Sequence, residues 1–393
     1  MKDSTIDQRQ NFNATSKTDL TKKKWRQKVR DFFANPKKRL IFWITLGIIT
    51  IALFGLGLYF LTHEPTNNNT AQQTTDSSTP DQTKELQPSL YQAPLDGIMA
   101  SLDSANNHPL AVMIENHTEA RPQAGLDKAS IVYEAIAEGG ITRFMALYGT
   151  NSAEKVGPVR SARTYYVDWA LGYDAYYAHV GGNINALDQI KADKVLDLDQ
   201  FAYPASYWRE RKAGVSLEHT MYASTIKLRE QAENNGYPKA NNFNVLRFKD
   251  EPTETERLSL PDSQLISIDY SSPTYNVQFQ YDKNTNSYKR LMAGKPHIDQ
   301  ITKDQLSPKN IIVMTLNRKQ IVSRDGKAVW EMTTVGSGPA KIFLDGKTIN
   351  GTWKKSNKGD REIFYDDKGE EITFNRGQFW ISVVHSNNSI TIE

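Results

Sequence analysis

The chain has 393 residues, of which 38% are hydrophobic and 24% are charged. This composition indicates a folded protein with room for two domains and excludes a chain that is disordered throughout. Residues 1–39 contain 12 Lys and Arg against 4 Asp, which leaves 36 basic and 41 acidic residues, a net charge of −5, for the remainder. Because nucleic-acid-binding folds present a basic face, we expect no nucleic-acid binding by the folded part.

A membrane anchor is predicted directly after the basic segment. Leu40–Leu61 runs for 22 residues without a charge, and at about 1.5 Å per residue such a helix spans the roughly 30 Å hydrocarbon core of a bilayer. The lysines and arginines in front of it place the N-terminus in the cytoplasm and residues 62–393 outside. A cleaved signal peptide is the alternative, but its apolar region is shorter, about 7–15 residues, and ends in a small-x-small site. We therefore predict an uncleaved signal anchor that crosses the cell membrane once.

The chain contains no cysteine. Its folded part therefore forms no disulfide and depends on a packed core. A lipid-modified cysteine is also excluded, which leaves the predicted helix as the tether. An exported domain of this size without disulfides is typical of a bacterial cell surface.

The remainder divides into a linker and two regions of different pattern. Residues 62–92 are rich in polar residues and nearly lack aliphatic ones, which predicts a disordered linker. In residues 93–240, strands alternate with helices, which is typical of an α/β or mixed α+β domain. The predicted strands are Pro109–Asn116, Ser130–Ala137, Thr142–Gly149 and Ala175–Gly182, and the predicted helices are Ala162–Tyr173, Asn183–Ala192 and Met221–Gly236. In residues 241–393, strands separated by Asn, Asp and Gly turns predict a mostly β domain without a helix of any length.

One segment suggests an anion site. In "GPVRSARTYY", Gly157–Tyr166, Arg160 and Arg163 flank Ser161. If Ser161 caps a helix, the first-turn amides and the two guanidinium groups together bind an anion. The alternative is that both arginines are solvated or paired with carboxylates. The carboxylates considered are Glu134, Glu138 and Asp168.

Residues of the same kinds lie at other predicted strand ends. Glycines precede Arg143, "AHVGGNINAL" places His179 and two glycines at a strand-to-helix turn, and Arg209 and His219 precede the last predicted helix. Ligands bind at strand ends of α/β sheets, so these residues are predicted to form one site. The predicted ligand-binding residues are Arg143, Arg160, Ser161, Arg163, His179, Gly181, Gly182, Arg209 and His219.

Known catalytic patterns are missing from the sequence. It has no H-E-x-x-H, no Walker loop, no G-x-S-x-G and no cysteine nucleophile. Whether the chain is an enzyme therefore stays open, and the candidates for an acid or base are His179, Glu138 and His219. For each histidine taken alone, a buried structural hydrogen bond is the favoured interpretation, because many histidines have that role in protein interiors. The two histidines could join carboxylates on a metal, but their spacing is generic, so we expect no metal and no cofactor.

Longer segments resemble a known family. "ARPQAGLDKASIVYEAIAEGGITRFMALY", "VGPVRSART", "YAHVGGNINAL" and "GPAKIFLDGKTINGTWKK" are similar to the YerB-like family of bacterial extracytoplasmic proteins, over roughly residues 93–390. The resemblance implies a two-domain surface protein of Gram-positive-type bacteria without an established activity. Many relatives look like lipoproteins, whereas this chain has a predicted membrane helix and no cysteine. Where relatives have a Pro-His-Asn turn, this chain has "EHTMY" from Glu218 to Tyr222, which weakens a catalytic role for His219.

The architecture is also similar to that of the LytR-CpsA-Psr glycopolymer ligases, which hold a polyprenyl pyrophosphate with arginines. Two hypotheses follow. The first is an envelope protein that binds an anionic cell-wall component, a phosphorylated lipid or glycopolymer, or a protein partner through the arginine cluster. The second is an envelope phosphotransferase or hydrolase in which the arginines neutralise phosphoryl charge. A third option is that the basic tail docks on anionic lipid or a cytoplasmic partner.

Overall fold

The computed structural model describes residues 89–240 and 242–393. The predicted basic tail (1–39), the predicted membrane helix (40–61) and residues 62–88 of the predicted linker lie outside the described residues. Within the described ranges, no helix has the length and hydrophobicity that a bilayer span requires. Secondary structure begins slightly before residue 93, because Tyr91–Gln92 pair with Met99–Ala100 as short antiparallel strands.

The first region has the predicted alternation of strands and helices. Its strands are β1 (Tyr91–Gln92), β2 (Met99–Ala100), β3 (Leu110–Glu115), β4 (Ile131–Ile136), β5 (Thr142–Tyr148), β6 (Tyr176–His179), β7 (Leu196–Asp199), β8 (Tyr207–Arg209) and β9 (Met221–Ala223). Its α-helices are α1 (Leu102–Ala105), α2 (Thr164–Leu171), α3 (Ile184–Ala192) and α4 (Thr225–Asn234). The four predicted strands are present as β3 to β6. All residues of these four strands are buried, which explains their uninterrupted apolar runs.

The prediction of one helix over Met221–Gly236 is wrong at its start. The first three residues form β9, which pairs antiparallel with β8. Helix α4 begins only after Ser224, whose side-chain oxygen accepts a hydrogen bond from the backbone N–H of Ile226 at 3.2 Å. A serine at this position is a common N-cap, and it separates the strand from the helix within one apolar run.

The second region is mostly β, as predicted. Its strands are β10 (Phe248–Lys249), β11 (Leu265–Asp269), β12 (Asn276–Asp282), β13 (Ser287–Met292), β14 (Lys295–Pro296), β15 (Asn310–Thr315), β16 (Arg318–Val322), β17 (Ala328–Met332), β18 (Gly336–Leu344), β19 (Lys347–Lys355), β20 (Ile363–Tyr365), β21 (Phe374–Asn375), β22 (Phe379–Val384) and β23 (Ile390–Ile392). One short α-helix, α5 (Glu254–Leu258), departs from the prediction of no helix. It is stabilised by a capping box of Thr253 and Glu256.

The two regions share one large sheet. Its strand order is β20-β19-β18-β15-β22-β4-β5-β3-β6-β7. The regions join where β22 pairs parallel with β4, with Phe379 opposite Ile131 and Val383 opposite Ala135. The predicted N-terminal and C-terminal domains therefore differ in secondary structure but are joined by the backbone hydrogen bonds of one sheet.

The shared sheet is covered on both faces. On one face, Tyr133 and Ile381 belong to a core that includes Trp169 of α2. On the other face, Val132 and Trp380 belong to a core that includes residues of a second sheet, of order β14-β13-β12-β11-β23. Adjacent strand residues enter opposite cores because side chains alternate along a strand.

Candidate functional site

The candidate site lies at the carboxyl ends of two neighbouring parallel strands. β3 and β6 pair in parallel, so their ends at Glu115 and His179 lie at the same edge of the sheet. The segment "GPVRSAR" crosses this edge in an extended conformation. The N–H of Arg160 donates to the carbonyl of Met113, and the N–H of Ala162 donates to the carbonyl of Gly181, both at 2.9 Å.

Gly157 is required at the start of this segment. Its φ is +132°, and a Cβ atom there would lie 2.7 Å from the N atom of Val159 and 2.9 Å from the O atom of Met221. Both contacts are with backbone, which has little room to move. A larger residue would therefore displace the segment from the sheet edge.

The prediction that Ser161 caps a helix is wrong. Helix α2 begins at Thr164, with Arg163 as its N-cap and no side-chain cap hydrogen bond. The reason is the pairing just described, because residues bridged to the strand ends adopt extended rather than helical dihedrals. The Ser161 carbonyl instead accepts a hydrogen bond from Arg143 Nη1 at 3.1 Å.

Glu115 is the centre of the arginine cluster. It is buried, and its Oε2 accepts a hydrogen bond from Arg160 Nε at 2.6 Å and lies 3.8 Å from Arg143 Nη2. The other oxygen, Oε1, accepts from the backbone N–H groups of Asn116 and His117 at 2.9 and 3.1 Å. Arg160 Nη2 also reaches Glu218 Oε2 at 2.7 Å. Arg160 therefore bridges a buried carboxylate and an exposed one.

Arg143 and Arg163 are paired with Glu138. Arg143 Nη2 lies 3.3 Å from Glu138 Oε2, and Arg163 Nε donates to Glu138 Oε1. The alternative that Arg160 and Arg163 are paired with carboxylates is thus confirmed for Arg163 with Glu138, whereas Arg160 is paired with two carboxylates that were not considered, Glu115 and Glu218. It is wrong for Glu134, whose cation is Arg290, and for Asp168, which accepts hydrogen bonds from Thr334 and Gln189.

Burial and neighbouring positive charge have opposite effects on the pKa values of the carboxylates in this cluster. Burial raises the pKa of Glu115, but the charges of Arg143 and Arg160 outweigh it and hold that pKa below its usual value. The pKa of Glu138 is lowered in the same way, against burial, by Arg163 and Arg143. The hydrogen bond from Arg160 lowers the pKa of Glu218. All three carboxylates are therefore ionised at neutral pH and neutralise the arginines.

A cleft of about 430 Å³ opens beside this cluster. Its lining comprises Val159, Arg160, Ser161, Val180, Gly181, Gly182, Leu187, Asp199, Phe201, Arg209, Glu218 and Met221. Five of the predicted ligand-binding residues line it, namely Arg160, Ser161, Gly181, Gly182 and Arg209. Arg143, Arg163, His179 and His219 are not in the lining.

Arg209 differs from the other arginines of the prediction. Its Nη1 donates to the carbonyl of Leu217, and no carboxylate pairs with it in the described part of the chain. Phe201, on the same cleft, is 73% exposed. The cleft thus combines a cation that lacks a carboxylate partner with an uncovered aromatic ring.

His179 lies below the cleft. It is fully buried, with Nδ1 2.8 Å from the carbonyl oxygen of Gly181 and Nε2 2.9 Å from Asp197 Oδ1. Asp199 Oδ1 accepts a hydrogen bond from the Gly181 N–H at 2.8 Å. His179 Nδ1 and Asp199 therefore hold the glycine turn, and Nε2 of His179 is occupied by Asp197.

His219 meets a histidine that the sequence did not single out. The rings of His117 and His219 stack with centroids 4.4 Å apart and planes 3° from parallel. Burial lowers the pKa of His219 below its usual value, although the Glu115 carboxylate acts in the opposite direction. His117 and Glu115 were missed, as was the role of Glu218. The end of β3 was the available signal for their position, although not for their pairing with the arginines. Glu115 is the last residue of that apolar strand, as His179 is of β6, and His117 lies two residues beyond it.

Comparisons with known proteins agree with the sequence resemblance. Residues 95–238 match the family described as "Protein of unknown function (DUF3048) N-terminal domain", and residues 266–381 match the corresponding C-terminal domain. The "Putative lipoprotein YerB" of Bacillus subtilis (strain 168) is 31% identical over 316 residues, which covers 80% of this chain and 90% of that protein.

A solved structure is similar over the same extent. The crystal structure of the YerB protein from Bacillus subtilis superposes with a TM-score of 0.67 at 30% identity, and the match covers 77% of this chain and 99% of that one. Both halves of the family's architecture are thus present in the correct order. The chain belongs to the YerB family, which consists of the N- and C-terminal DUF3048 domains and has no known function.

Proposed function

We propose that this protein is a membrane-anchored, extracytoplasmic binding protein of the cell envelope, and that its cleft binds an anionic ligand. The anchor is the apolar segment Leu40–Leu61, and a membrane location agrees with the name of the Bacillus subtilis relative, a putative lipoprotein. The ligand classes that fit are a cell-wall component and a phosphorylated lipid or glycopolymer.

The observation that supports this proposal is the cleft lined by Arg160, Ser161 and Arg209. A guanidinium group forms paired hydrogen bonds with carboxylate or phosphate oxygens. Arg209 is exposed and has no carboxylate partner among residues 89–240 and 242–393. An anionic ligand can therefore pair with its guanidinium group without breaking an existing ion pair. At Gly181 and Gly182 a Cβ atom would lie 3.1 Å from the Phe201 ring and 3.2 Å from Ala162 Cβ, so the two glycines make room for these neighbours at the wall of the cleft.

The position of the Glu218 carboxylate indicates where an anion would bind. Its carboxylate lies 2.7 Å from Arg160 Nη2, at the cleft, and its side chain is 54% exposed. An exposed carboxylate in contact with Arg160 occupies the place that a ligand carboxylate or phosphate takes. Because surface ion pairs contribute only about 0–1 kcal/mol, the ligand can displace it at small cost.

The apolar part of the lining narrows the ligand class. Phe201 is 73% exposed beside the arginines, and an exposed aromatic ring packs against the apolar face of a sugar or against a prenyl chain. A ligand that has both an anionic and an apolar part therefore fits better than a simple inorganic anion.

Binding in the cleft fits the described residues better than catalysis does, because one acid–base candidate, His219, is not in the cleft lining and the other two are held by hydrogen bonds. Both nitrogens of His179 are hydrogen-bonded below the cleft, and Glu138 is held by two arginines. A general acid or base must reach the reacting group directly or through one water. The phosphotransferase or hydrolase hypothesis is therefore second to the binding hypothesis.

The test measures thermal unfolding of the full-length protein in detergent with pyrophosphate, a polyprenyl phosphate analogue and soluble wall fragments. A ligand at about 100 times its Kd adds roughly 2.7 kcal/mol to the free energy of unfolding. We expect this increase for the wild type and for Arg211→Ala, an exposed arginine outside the cleft lining. We expect its loss in Arg209→Ala. No increase with any ligand, or an equal increase in Arg209→Ala, would refute the proposal.

A further inference from the structure

A second cluster lies next to the cleft and has a different chemistry. His117, Glu119 and His219 each offer one ligand atom, and these three atoms lie within 4.8 Å of one another. We propose that these residues bind a divalent transition metal ion, with Zn²⁺ as the best match. This proposal does not depend on the ligand of the cleft.

His219 points to a missing partner. His219 is only 6% exposed, and its Nδ1 has no hydrogen-bond partner among the described residues. The nearest carboxylate oxygen, Glu115 Oε2, is 3.7 Å away and already accepts from Arg160. Buried polar atoms almost always have a partner, and an exception requires an explanation. A bound metal ion supplies one.

The backbone already brings the three side chains together. His117 precedes the 3₁₀ turn Thr118–Ala120, which contains Glu119, and His219 ends the 3₁₀ turn Leu217–His219. Glu119 Oε2 accepts a hydrogen bond at 3.0 Å from the N–H of Ser216, which is the N-cap of the second turn. The two turns are thus joined by a direct bond, so the ligands come from a pre-assembled pair of turns.

The set of donor atoms selects the metal. Two imidazole nitrogens and one carboxylate oxygen form a recurring three-ligand zinc site that keeps a further position open. Ca²⁺ and Mg²⁺ prefer all-oxygen ligands, so they are disfavoured here. Glu218 Oε1 lies 3.8 Å from His219 Nε2, which places a second carboxylate next to the site.

Metal binding requires one ring to turn. A metal ion lies in the plane of each imidazole that binds it, whereas the rings of His117 and His219 are now stacked nearly parallel. His117 is the half-buried member, and its Nδ1 accepts only one long hydrogen bond, from the N–H of Glu119 at 3.3 Å. We therefore expect His117 to reorient while the buried His219 stays in place.

The test uses the full-length protein without affinity histidines, freed of metal and titrated with Zn²⁺ against a chromophoric chelator. We expect one Zn²⁺ per chain. His219→Ala and His117→Ala should each weaken binding more than about 100-fold, because loss of even an outer partner of a metal site costs about 10- to 100-fold. Zn²⁺ should also raise the thermal midpoint of the wild type and of neither variant.

The chain offers a matched control in His385. It is also half-buried, and its Nδ1 also accepts the N–H of the second residue after it, Asn387, at 3.3 Å. His385→Ala should leave Zn²⁺ affinity unchanged. Equal affinity in the wild type and His117→Ala, or an equal loss in His385→Ala, would overturn the proposal. Because His117 is half-buried, its variant gives a decisive answer even if His219→Ala fails to fold.

Discussion

Two arginine–carboxylate clusters with the same chemistry occupy different places in this molecule. One, the closed cluster, consists of Glu134, Arg290 and His297 where the two regions meet. The other, the open cluster, consists of Glu115, Arg160 and Glu218 at the cleft. Arg290 and Glu134 are completely buried, whereas Arg160 and Glu218 have side chains that are 23% and 54% exposed. Exposure at one end is what distinguishes a structural ion pair from a replaceable one.

Both oxygens of the carboxylate in the closed cluster accept hydrogen bonds from the protein, so no ligand is needed to complete it. Glu134 Oε2 accepts from Arg290 Nη2 at 2.7 Å and from Trp380 Nε1 at 3.0 Å, and its Oε1 accepts from Thr142 at 2.9 Å. The Arg290 guanidinium also lies over the Trp380 ring, 4.2 Å from the centroid. Since Glu134 is on β4 and Arg290 on β13, these contacts hold the second sheet against the shared one.

The largest effect is expected when the closed cluster is broken. Arg290→Ala leaves the Glu134 carboxylate buried without its cation, which should lower the free energy of unfolding by about 3–5 kcal/mol. Urea unfolding followed by tryptophan fluorescence measures this. The exposed Arg211→Ala should change it by less than about 0.5 kcal/mol. A loss below about 1 kcal/mol for Arg290→Ala would mean that the two clusters do not differ in the way argued above.

The double variant Glu134→Gln with Arg290→Met makes this comparison sharper. It removes both charges together and keeps side chains of similar length. Because replacing a buried ion pair with uncharged groups is often close to neutral, most of the lost stability should return. If the double variant is as unstable as Arg290→Ala, then packing rather than the unpaired charge explains the effect.

The next effect is a pH dependence that originates in the closed cluster. Arg290 only donates, so His297 Nδ1 accepts its hydrogen bond and Nε2–H donates to Gln123 Oε1 at 2.9 Å. Burial, with the charges of Arg290 and Arg121, holds the pKa of His297 well below its usual value of 6.5. Below about pH 6.5, His297 therefore binds a proton in the unfolded chain but not in the native protein.

Stability should consequently fall as the pH falls from 6.5 to 5.5. One such histidine contributes a slope of up to about 1.4 kcal/mol per pH unit. His108 and His219, whose pKa values are also lowered, mainly by burial, contribute in the same direction. His297→Gln should reduce the slope by the share of one histidine, as measured by urea unfolding at pH 7.0, 6.5, 6.0 and 5.5. An unchanged slope in His297→Gln would contradict the assignment.

Sequence patterns predicted the elements of the first region better than the way they assemble. β3 to β6, α2 and α3 were recognisable because each is a short apolar run or a helical repeat with its own turn signals. The pairing of β22 with β4 was not, since it joins residues about 250 positions apart, and parallel pairing leaves no local signal. The shared sheet therefore became visible only in three dimensions.

The candidate site shows the same division. Arg160, Ser161, Gly181, Gly182 and Arg209 were predicted together because strand ends meet at one edge, and all line the cleft. The partners of the arginines were not predictable. Glu115 is the last residue of an apolar strand and reads as part of a core, and Glu218 lies 58 positions from Arg160. Charge pairing depends on the fold, so the type of a residue could be predicted but not its neutralising partner.

The smallest effect concerns the open cluster and is the most direct test of replaceability. Glu218→Gln removes the carboxylate that competes with a ligand for Arg160 while Glu115 still holds that arginine at 2.6 Å. Because an exposed ion pair contributes about 0–1 kcal/mol, the affinity for an anionic ligand should rise, by up to about fivefold, with little change in stability.

Glu210→Gln is the matched control, since Glu210 is a partly exposed carboxylate paired with Lys155 at 2.6 Å outside the cleft lining. Titration of wild type and both variants with the ligand that stabilises the wild type measures the difference. A weaker affinity in Glu218→Gln would mean that Glu218 contacts the ligand, and that the open cluster is as fixed in its pairing as the closed one.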